Sequence, residues 1–208
     1  MPTPEGRTVN PRSELLPAGT ELARIHSAAY GAADFNPGPT PAAVQTRFAF
    51  FGFPTVPVLH AAQTDDAAIA EVLLHDVPVS GGRLDEGLVR QRVLSHVVST
   101  RDLRLAVLHG DGFRRPGTGP EDITRTSPRR YSEAVPWAEA AHTAGFDGLV
   151  WMSHRHDSAR SYVFFGTDTA PDAFEPGAGT KRVFAFDHDL DWLTRKLLPL
   201  NVHITTAP

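Results

Sequence analysis

One stretch of the chain carries residues whose types and spacing could do chemistry. Arg47 stands among phenylalanines, His60 closes a β-branched run, and Glu71 lies in the middle of an apolar segment. A charged side chain among apolar neighbours needs a partner or a ligand, because an unpaired buried charge is costly. We therefore expect Arg47, His60 and Glu71 to face one cleft.

Two further candidates lie outside this stretch. Arg24 alternates with apolar residues in a predicted strand, so it requires an anionic partner, either an internal carboxylate or a ligand phosphate. Ser153 follows the apolar run GLVWM, and strand ends often carry ligand-contacting groups. For each residue alone, a structural ion pair or an ordinary turn hydroxyl is the simpler explanation. Together, arginines that hold pyrophosphate and a carboxylate that binds a ribose hydroxyl would suit a dinucleotide.

The segment HRHD offers a competing interpretation as a metal site, since His154, His156 and Asp157 are common metal ligands. Catalytic zinc needs about three protein ligands, and the sequence shows no partnered third ligand. A solvated polar loop explains the segment better, and we predict no metal. The motifs GxGxxG, GxxxxGK[ST], HExxH and GxSxG are also missing.

Short elements must position these residues. Alternating and β-branched patterns predict strands near 22–26 and 56–60. Thr64, Asp65 and Asp66 predict the start of a helix that carries Glu71, because their oxygens can cap its free N–H groups. Further strands are predicted at 103–109, 146–152, 161–166 and 182–186, and helices at 132–145 and 190–198. This irregular interleaving favours an α+β fold over a doubly wound parallel sheet.

The composition limits the classes of protein to which this chain can belong. The 208 residues suit one domain, and we expect an extended N-terminal arm at 1–19, rich in proline and glycine, followed by a single domain at 20–208. The net charge of −4 argues against a general nucleic-acid-binding surface. No apolar run approaches the ~20 residues of a membrane span. The chain has no cysteine, which agrees with the cytoplasmic location that we expect.

Taken in order, four pieces of the sequence resemble the RES family, which is named for its Arg, Glu and Ser. They are ELARIH around Arg24, TRF around Arg47, VLHAAQTDDAAIAEVLLH around Glu71, and GFDGLVWMSHR around Ser153, followed by YVFF. The resemblance covers about residues 20–170. It implies a compact α+β fold similar to ADP-ribosyltransferases, with short mixed or antiparallel sheets flanked by helices.

The same resemblance implies an activity. Characterised members degrade NAD by hydrolysis or phosphorolysis of the nicotinamide–ribose bond, so NAD is the expected substrate, inorganic phosphate a candidate co-substrate, and no cofactor is expected. Such proteins are commonly toxins paired with an Xre-type helix-turn-helix antitoxin. ADP-ribosyl transfer to a macromolecule and non-catalytic binding of NAD or ADP-ribose are the alternatives. The oligomeric state stays open, and a homo-oligomer is one expectation.

The resemblance also assigns residue roles. Arg47, Glu71 and Ser153 become the expected catalytic residues, and Arg24, His26 and His60 complete the expected substrate-binding set. The arginines would contact NAD phosphates or ribose, Glu71 the nicotinamide ribose, and Ser153 the nicotinamide end. Two departures stand out: QTRFA replaces the usual Gly-Gly-Arg-Trp-Asn, and His60 stands where a tyrosine is common.

Overall fold

The computed structural model describes residues 11–38, 46–114, 119–124, 130–166 and 172–206. The strands are β1 Ser13–Leu16, β2 Glu21–Ser27, β3 Val58–Ala62, β4 Gly82–Asp85, β5 Arg92–Ser99, β6 Leu103–Leu108, β7 Gly148–Met152, β8 Arg160–Phe165, β9 Phe174–Pro176, β10 Arg182–Val183 and β11 Val202–Thr205. The helices are α1 Asp65–Val72, α2 Glu86–Arg90, α3 Pro120–Ile123, α4 Tyr131–Thr143 and α5 Asp187–Leu197. Within the described ranges, none of these helices is long and apolar enough to cross a membrane.

Nine strands form one mixed sheet in the order β1-β6-β7-β8-β3-β2-β5-β10, with β9 also paired to β5. β6 and β7 run parallel, whereas the other pairs are antiparallel. β4 and β11 form a separate parallel pair. The predicted α+β class, with mixed strand pairing and flanking helices, is confirmed, although most strands join one large sheet.

Part of the predicted N-terminal arm belongs to this sheet. Ser13–Leu16 pairs antiparallel with β6, so that Leu16 is buried while Leu15 is 58% exposed. Residues 1–10 lie outside the described residues. A four-residue strand between proline-rich segments has too little alternation to be recognised from sequence, because its stability comes from a partner about 90 residues away.

Three apolar clusters hold the fold together. α1 and α5 cover β2 and β5, with Ile69 and Leu193 against Ile25 and Leu94. α4 lies over β6, β7 and β8, and its alanines let it approach the sheet closely. The opposite face of the sheet buries a third cluster that includes Leu22, Leu59, Leu105 and Phe164. Each fully buried side chain of this size contributes about 1.5–3 kcal/mol.

The sheet opens between β2 and β3. These two strands pair at Ala23 and Ala62 alone, whereas β2 pairs with β5 along its whole length and β3 pairs with β8 along its whole length. Beyond that single pair, no ladder of hydrogen bonds joins the two strands in the described residues. The opening brings Arg24 of β2 and His60 of β3 to the border between the two halves of the sheet.

Candidate active site

A carboxylate held from two sides forms the centre of the site. Glu71 lies on α1, whose N-cap Thr64 accepts a hydrogen bond from the Ala67 N–H, as the sequence predicted. The Ser153 hydroxyl donates to Glu71 Oε1 over 2.7 Å, and Arg47 Nη1 lies 3.4 Å from Glu71 Oε2. Ser153 is fully buried, while the Glu71 side chain keeps 17% of its surface exposed. The carboxylate is therefore fixed in direction yet reachable by a ligand.

Arg47 is positioned by a tight turn. The Ala49 N–H donates to the Thr46 carbonyl over 3.3 Å, and Phe48 adopts a left-handed φ of 71°. Such a backbone costs a bulky residue about 1–3 kcal/mol and persists only where packing enforces it. Here the Phe48 ring is fully buried, 5.0 Å from the Trp151 ring. Gln45, in the departure from the family pattern, lies outside the described residues.

Ser153 is held by the turn that follows β7. Its N–H donates to the Ala159 carbonyl, and its own carbonyl accepts from the Asp157 N–H over 2.7 Å. HRHD thus forms the body of a turn, with Asp157 in the left-handed region at a φ of 53°. Across the described ranges, no three His, Cys, Asp or Glu side chains gather as a metal site.

His60 sits on β3 beside this cluster. Its Nε2 is 3.4 Å from the Thr46 hydroxyl. Burial lowers the pKa of His60 to about 4, and the positive charges of Arg24 and Arg47 act in the same direction. At neutral pH the imidazole is therefore uncharged, so it can exchange hydrogen bonds with a ligand but cannot supply a positive charge.

Arg24 approaches the opening from β2. It is 6% exposed, and its Nη1 donates to the carbonyls of Ala32 and Asp34 over 2.6 and 2.9 Å. Burial lowers the pKa of Arg24 to about 10, against the opposing influence of Asp34, so the guanidinium stays charged at neutral pH. Its Nε is buried without a hydrogen-bond partner. Buried donors are rarely left unsatisfied, so a ligand oxygen would complete this group.

His26 stands apart from the cluster. Its Nδ1 lies 2.9 Å from the Ser27 carbonyl and its Nε2 3.0 Å from the Ser95 hydroxyl. A carbonyl can only accept, so Nδ1 carries the proton and Nε2 accepts from Ser95. Burial, followed by the charge of Arg24, lowers the pKa of His26. Both ring nitrogens are thus engaged within the protein, and a role for His26 in binding substrate stays a prediction.

Arg47, Glu71 and Ser153 lie together in the structure. A protein-family model that matches most of the chain agrees with this arrangement. Residues 21–187 match the family model of the RES domain. The chain belongs to the RES family. The resemblance drawn from the motifs is confirmed, and the match extends beyond residue 170 through β10. A comparison with curated protein sequences finds no match.

The RES chain also resembles a solved structure. A chain from the crystal structure of the M. tuberculosis MbcT-MbcA toxin-antitoxin complex superposes with a TM-score of 0.55 at 13% sequence identity. The superposition covers 82% of this chain and 88% of that chain. Likeness at such low identity shows a shared fold and leaves the chemistry to be argued from the site.

Sequence reasoning missed one residue of the candidate site. Tyr131, at the start of α4, is buried, and the Arg47 guanidinium lies over its ring at 5.0 Å from the centroid. Burial raises the pKa of Tyr131. The sequence offered only an aromatic residue at the start of a helix, which is equally typical of a core residue. Its place beside Arg47 depends on how α4 docks on the sheet.

Chemically, the site combines a fixed carboxylate, two arginines and a neutral imidazole. The carboxylate can stabilise a developing positive charge or accept a hydrogen bond from a sugar hydroxyl. The arginines can hold phosphate oxygens, and Tyr131 offers an aromatic face at the same place. This set suits an anionic ligand that becomes cationic at one atom during reaction.

Proposed function

We propose that this RES domain cleaves the nicotinamide–ribose bond of NAD and releases nicotinamide. The observation that carries the proposal is the meeting of Arg47, Glu71 and Ser153. Arg47 and Glu71 are 24 residues apart in the chain, and Glu71 and Ser153 are 82 apart. The three residue types for which the family is named are thus in one hydrogen-bonded cluster, which ordinary core packing does not require.

The proposed reaction uses Glu71 as its electrostatic centre. As the bond between the ribose anomeric carbon and the ring nitrogen breaks, its electron pair goes to nicotinamide and positive charge builds on the ribose, as in glycoside hydrolysis. A carboxylate fixed by Ser153 stabilises that charge more than it stabilises intact NAD, which lowers the barrier. Nicotinamide departs neutral from a cationic ring, so no strong general acid is needed.

A water or an inorganic phosphate oxygen then bonds to the anomeric carbon. Water loses its proton to solvent and gives ADP-ribose, whereas phosphate gives the 1-phosphorylated product. The neutral His60, which stands where a tyrosine is common in the family, is proposed to lie beside the path of this acceptor. Arg24 and Arg47 are proposed to hold the pyrophosphate, each charge-assisted contact contributing roughly 1.5–3 kcal/mol.

We further propose that the chain acts as a toxin held inactive by an antitoxin. The support is the fold shared with a chain of the M. tuberculosis toxin-antitoxin complex, which is an argument by analogy. An Xre-type helix-turn-helix protein is the proposed partner. Co-expression with a neighbouring helix-turn-helix gene should rescue growth that the chain alone arrests, and a growth arrest that this gene leaves unchanged would contradict the pairing.

The proposal is tested by analysing products after incubation with NAD, with and without phosphate. Free nicotinamide should appear together with ADP-ribose or its 1-phosphate. Glu71→Gln should reduce the rate to near background, while Glu139→Gln, on the exposed face of α4, should leave it unchanged. Intact NAD in the presence of folded protein would contradict the proposal. Label transferred from NAD to protein or nucleic acid would indicate a transferase instead, and calorimetric binding without turnover would indicate a binding protein.

A further inference from the structure

Two buried polar groups on β7 and β8 lack a hydrogen-bond partner. The Trp151 indole Nε1 and the Ser161 hydroxyl are both enclosed, and neither bonds to any residue that the structure describes. The two residues are only 2% and 1% exposed. Buried side-chain polar groups nearly always find a partner, because an unsatisfied one has lost its hydration without compensation. Two such groups on adjacent strands therefore indicate a ligand.

These two groups share a face of the sheet with the candidate active site. Trp151 and Ser161 are directly opposite each other in the antiparallel pair of β7 and β8. Ser153 follows two residues after Trp151, and alternate residues of a strand point to the same face. On β3, His60 is opposite Val163, which lies two residues from Ser161 and packs in one apolar cluster with Trp151. The unpaired groups thus lie between Ser153 and His60.

The turn that carries Arg47 and the helix that carries Glu71 border the same place. The Phe48 ring, next to Arg47 in the chain, packs 5.0 Å from the Trp151 ring. α1 packs against β8, and its Glu71 side chain keeps 17% of its surface exposed. A ligand can therefore approach at Glu71. Because both polar groups are enclosed, it reaches the indole only when the Phe48 ring moves aside.

The hydrogen-bonding character of the two groups selects a class of ligand. An indole N–H can only donate, whereas a serine hydroxyl can also accept. A primary carboxamide offers the matching pair, namely a carbonyl oxygen that accepts and an NH₂ group that donates. Both protein groups are uncharged, so they suit a neutral group better than a phosphate, which favours cationic partners. Nicotinamide carries such a carboxamide, and in the proposed reaction it leaves the ribose beside Glu71.

We propose that Trp151 Nε1 donates to the carboxamide oxygen of bound nicotinamide and that Ser161 Oγ accepts from its NH₂ group. The two side chains orient the leaving group relative to Glu71 and select substrates that carry a carboxamide on the ring. This assignment rests on the proposed cleavage of NAD. The adenine base also combines a donor with an acceptor, but the proposed role of Glu71 at the nicotinamide ribose favours the nicotinamide end.

The test compares NAD with two analogues. The acetylpyridine analogue keeps the ring carbonyl but has a methyl group in place of NH₂, and the hypoxanthine analogue changes the adenine alone. The unmodified protein should prefer NAD to the acetylpyridine analogue, and Ser161→Ala should reduce that preference in kcat/KM by about tenfold. The difference in leaving-group reactivity cancels because it is the same for both proteins. The preference over the hypoxanthine analogue should not change.

Trp151→Phe keeps an aromatic ring and removes the N–H. It should lower kcat/KM by about tenfold for NAD and for the acetylpyridine analogue alike, since both carry the carbonyl. Trp192→Phe on α5 and Ser132→Ala on the exposed face of α4 are the matched controls and should change neither value. Ser161→Ala should not lower the free energy of unfolding, because the hydroxyl has no partner among the described residues. Destabilisation would assign Ser161 to an internal water or side chain and overturn the inference.

Calorimetry separates this inference from the proposed cleavage. If NAD binds without being cleaved, the proposed function fails, and the dissociation constants of the same variants and analogues decide the inference. An NAD preference that Ser161→Ala leaves unchanged, or full activity in Trp151→Phe, would overturn the inference while cleavage stands. A change confined to the hypoxanthine analogue would assign the pair to adenine and overturn it as well. Absence of both binding and cleavage would overturn the two together.

Discussion

Ser153 and Glu71 are joined by a hydrogen bond of 2.7 Å that ties the end of β7 to the middle of α1. The donor is fully buried and the acceptor is partly exposed. The bond therefore fixes the direction of the carboxylate from inside the protein while its other oxygen remains near Arg47. Orientation of this kind is what a carboxylate needs to stabilise charge at one defined atom.

Ser153→Ala should accordingly impair catalysis more than it impairs stability. Without the hydroxyl, Glu71 can rotate, and a misplacement of about 1 Å can cost about 100-fold in rate. Loss of the single hydrogen bond should lower the free energy of unfolding by only about 1 kcal/mol. Rates of nicotinamide release and urea unfolding measure the two effects. Ser132→Ala, on the exposed face of α4, is the matched control, and an unimpaired rate in Ser153→Ala would refute the positioning role.

Tyr131 provides a prediction about substrate affinity. Its ring lies under the Arg47 guanidinium, and a contact of this kind contributes about 0.5–2 kcal/mol. Tyr131→Ala should raise KM for NAD by about 2-fold to 30-fold because Arg47 loses its support, whereas Tyr131→Phe keeps the ring and should retain KM. A Tyr131→Phe variant as impaired as Tyr131→Ala would assign the effect to the hydroxyl instead. Thermal unfolding of both variants separates this effect from loss of the fold.

The predictions from sequence succeeded where the signal is local. Thr64 was recognised as the start of α1 because capping chemistry operates within one turn. The apolar run before Ser153 marked β7 because buried strands are continuous in hydrophobicity. Glu71 was placed near Arg47 because a charge among apolar neighbours needs a partner. The order of the family motifs strengthened this expectation, since AAIAEVLLH has no clear polar face of its own.

The strands that the sequence did not predict form by pairing between distant segments. β1 exists because Ser13–Leu16 finds β6, and β4 exists because it finds β11 near the other end of the chain. Neither short segment has a composition that by itself predicts a strand. His26 and His60 could not be ranked from sequence either, because both lie on strands. The two differ in the structure, where the Ser27 carbonyl and the Ser95 hydroxyl engage both ring nitrogens of His26.

The N-terminal strand itself yields a prediction with a built-in control. Leu16 is 6% exposed and lies in the cluster beneath the sheet, whereas its neighbour Leu15 is 58% exposed. Leu16→Ala should lower the free energy of unfolding by about 2–4 kcal/mol, and Leu15→Ala should change it little. Chemical denaturation measures both. Equal, small effects would place residues 13–16 outside the cooperative fold, and a larger effect for Leu15 would mean that the register is shifted by one residue.

His60 leads to a prediction about pH. In the folded protein its pKa is lowered to about 4, while an unfolded chain restores the ordinary value of about 6.5. Between these values the unfolded state binds more protons, so protein stability rises with pH across this window and falls as pH decreases through it. A shift of this size corresponds to a few kcal/mol at most, about 1.4 kcal/mol per unit. Urea unfolding at pH values between about 4 and 7.5 measures the dependence.

His60→Gln separates this residue from other titrating groups. Glutamine keeps a hydrogen-bonding side chain but does not titrate, so the variant should lose less stability on acidification than the unmodified protein. The pKa of His26 is also lowered, so some dependence on pH should persist in His60→Gln and diminish further when His26→Gln is added. Identical pH profiles for the unmodified protein and His60→Gln would show that the imidazole at β3 is not held neutral by Arg24, Arg47 and burial. The His60 imidazole would then be free to carry a second proton beside the proposed acceptor.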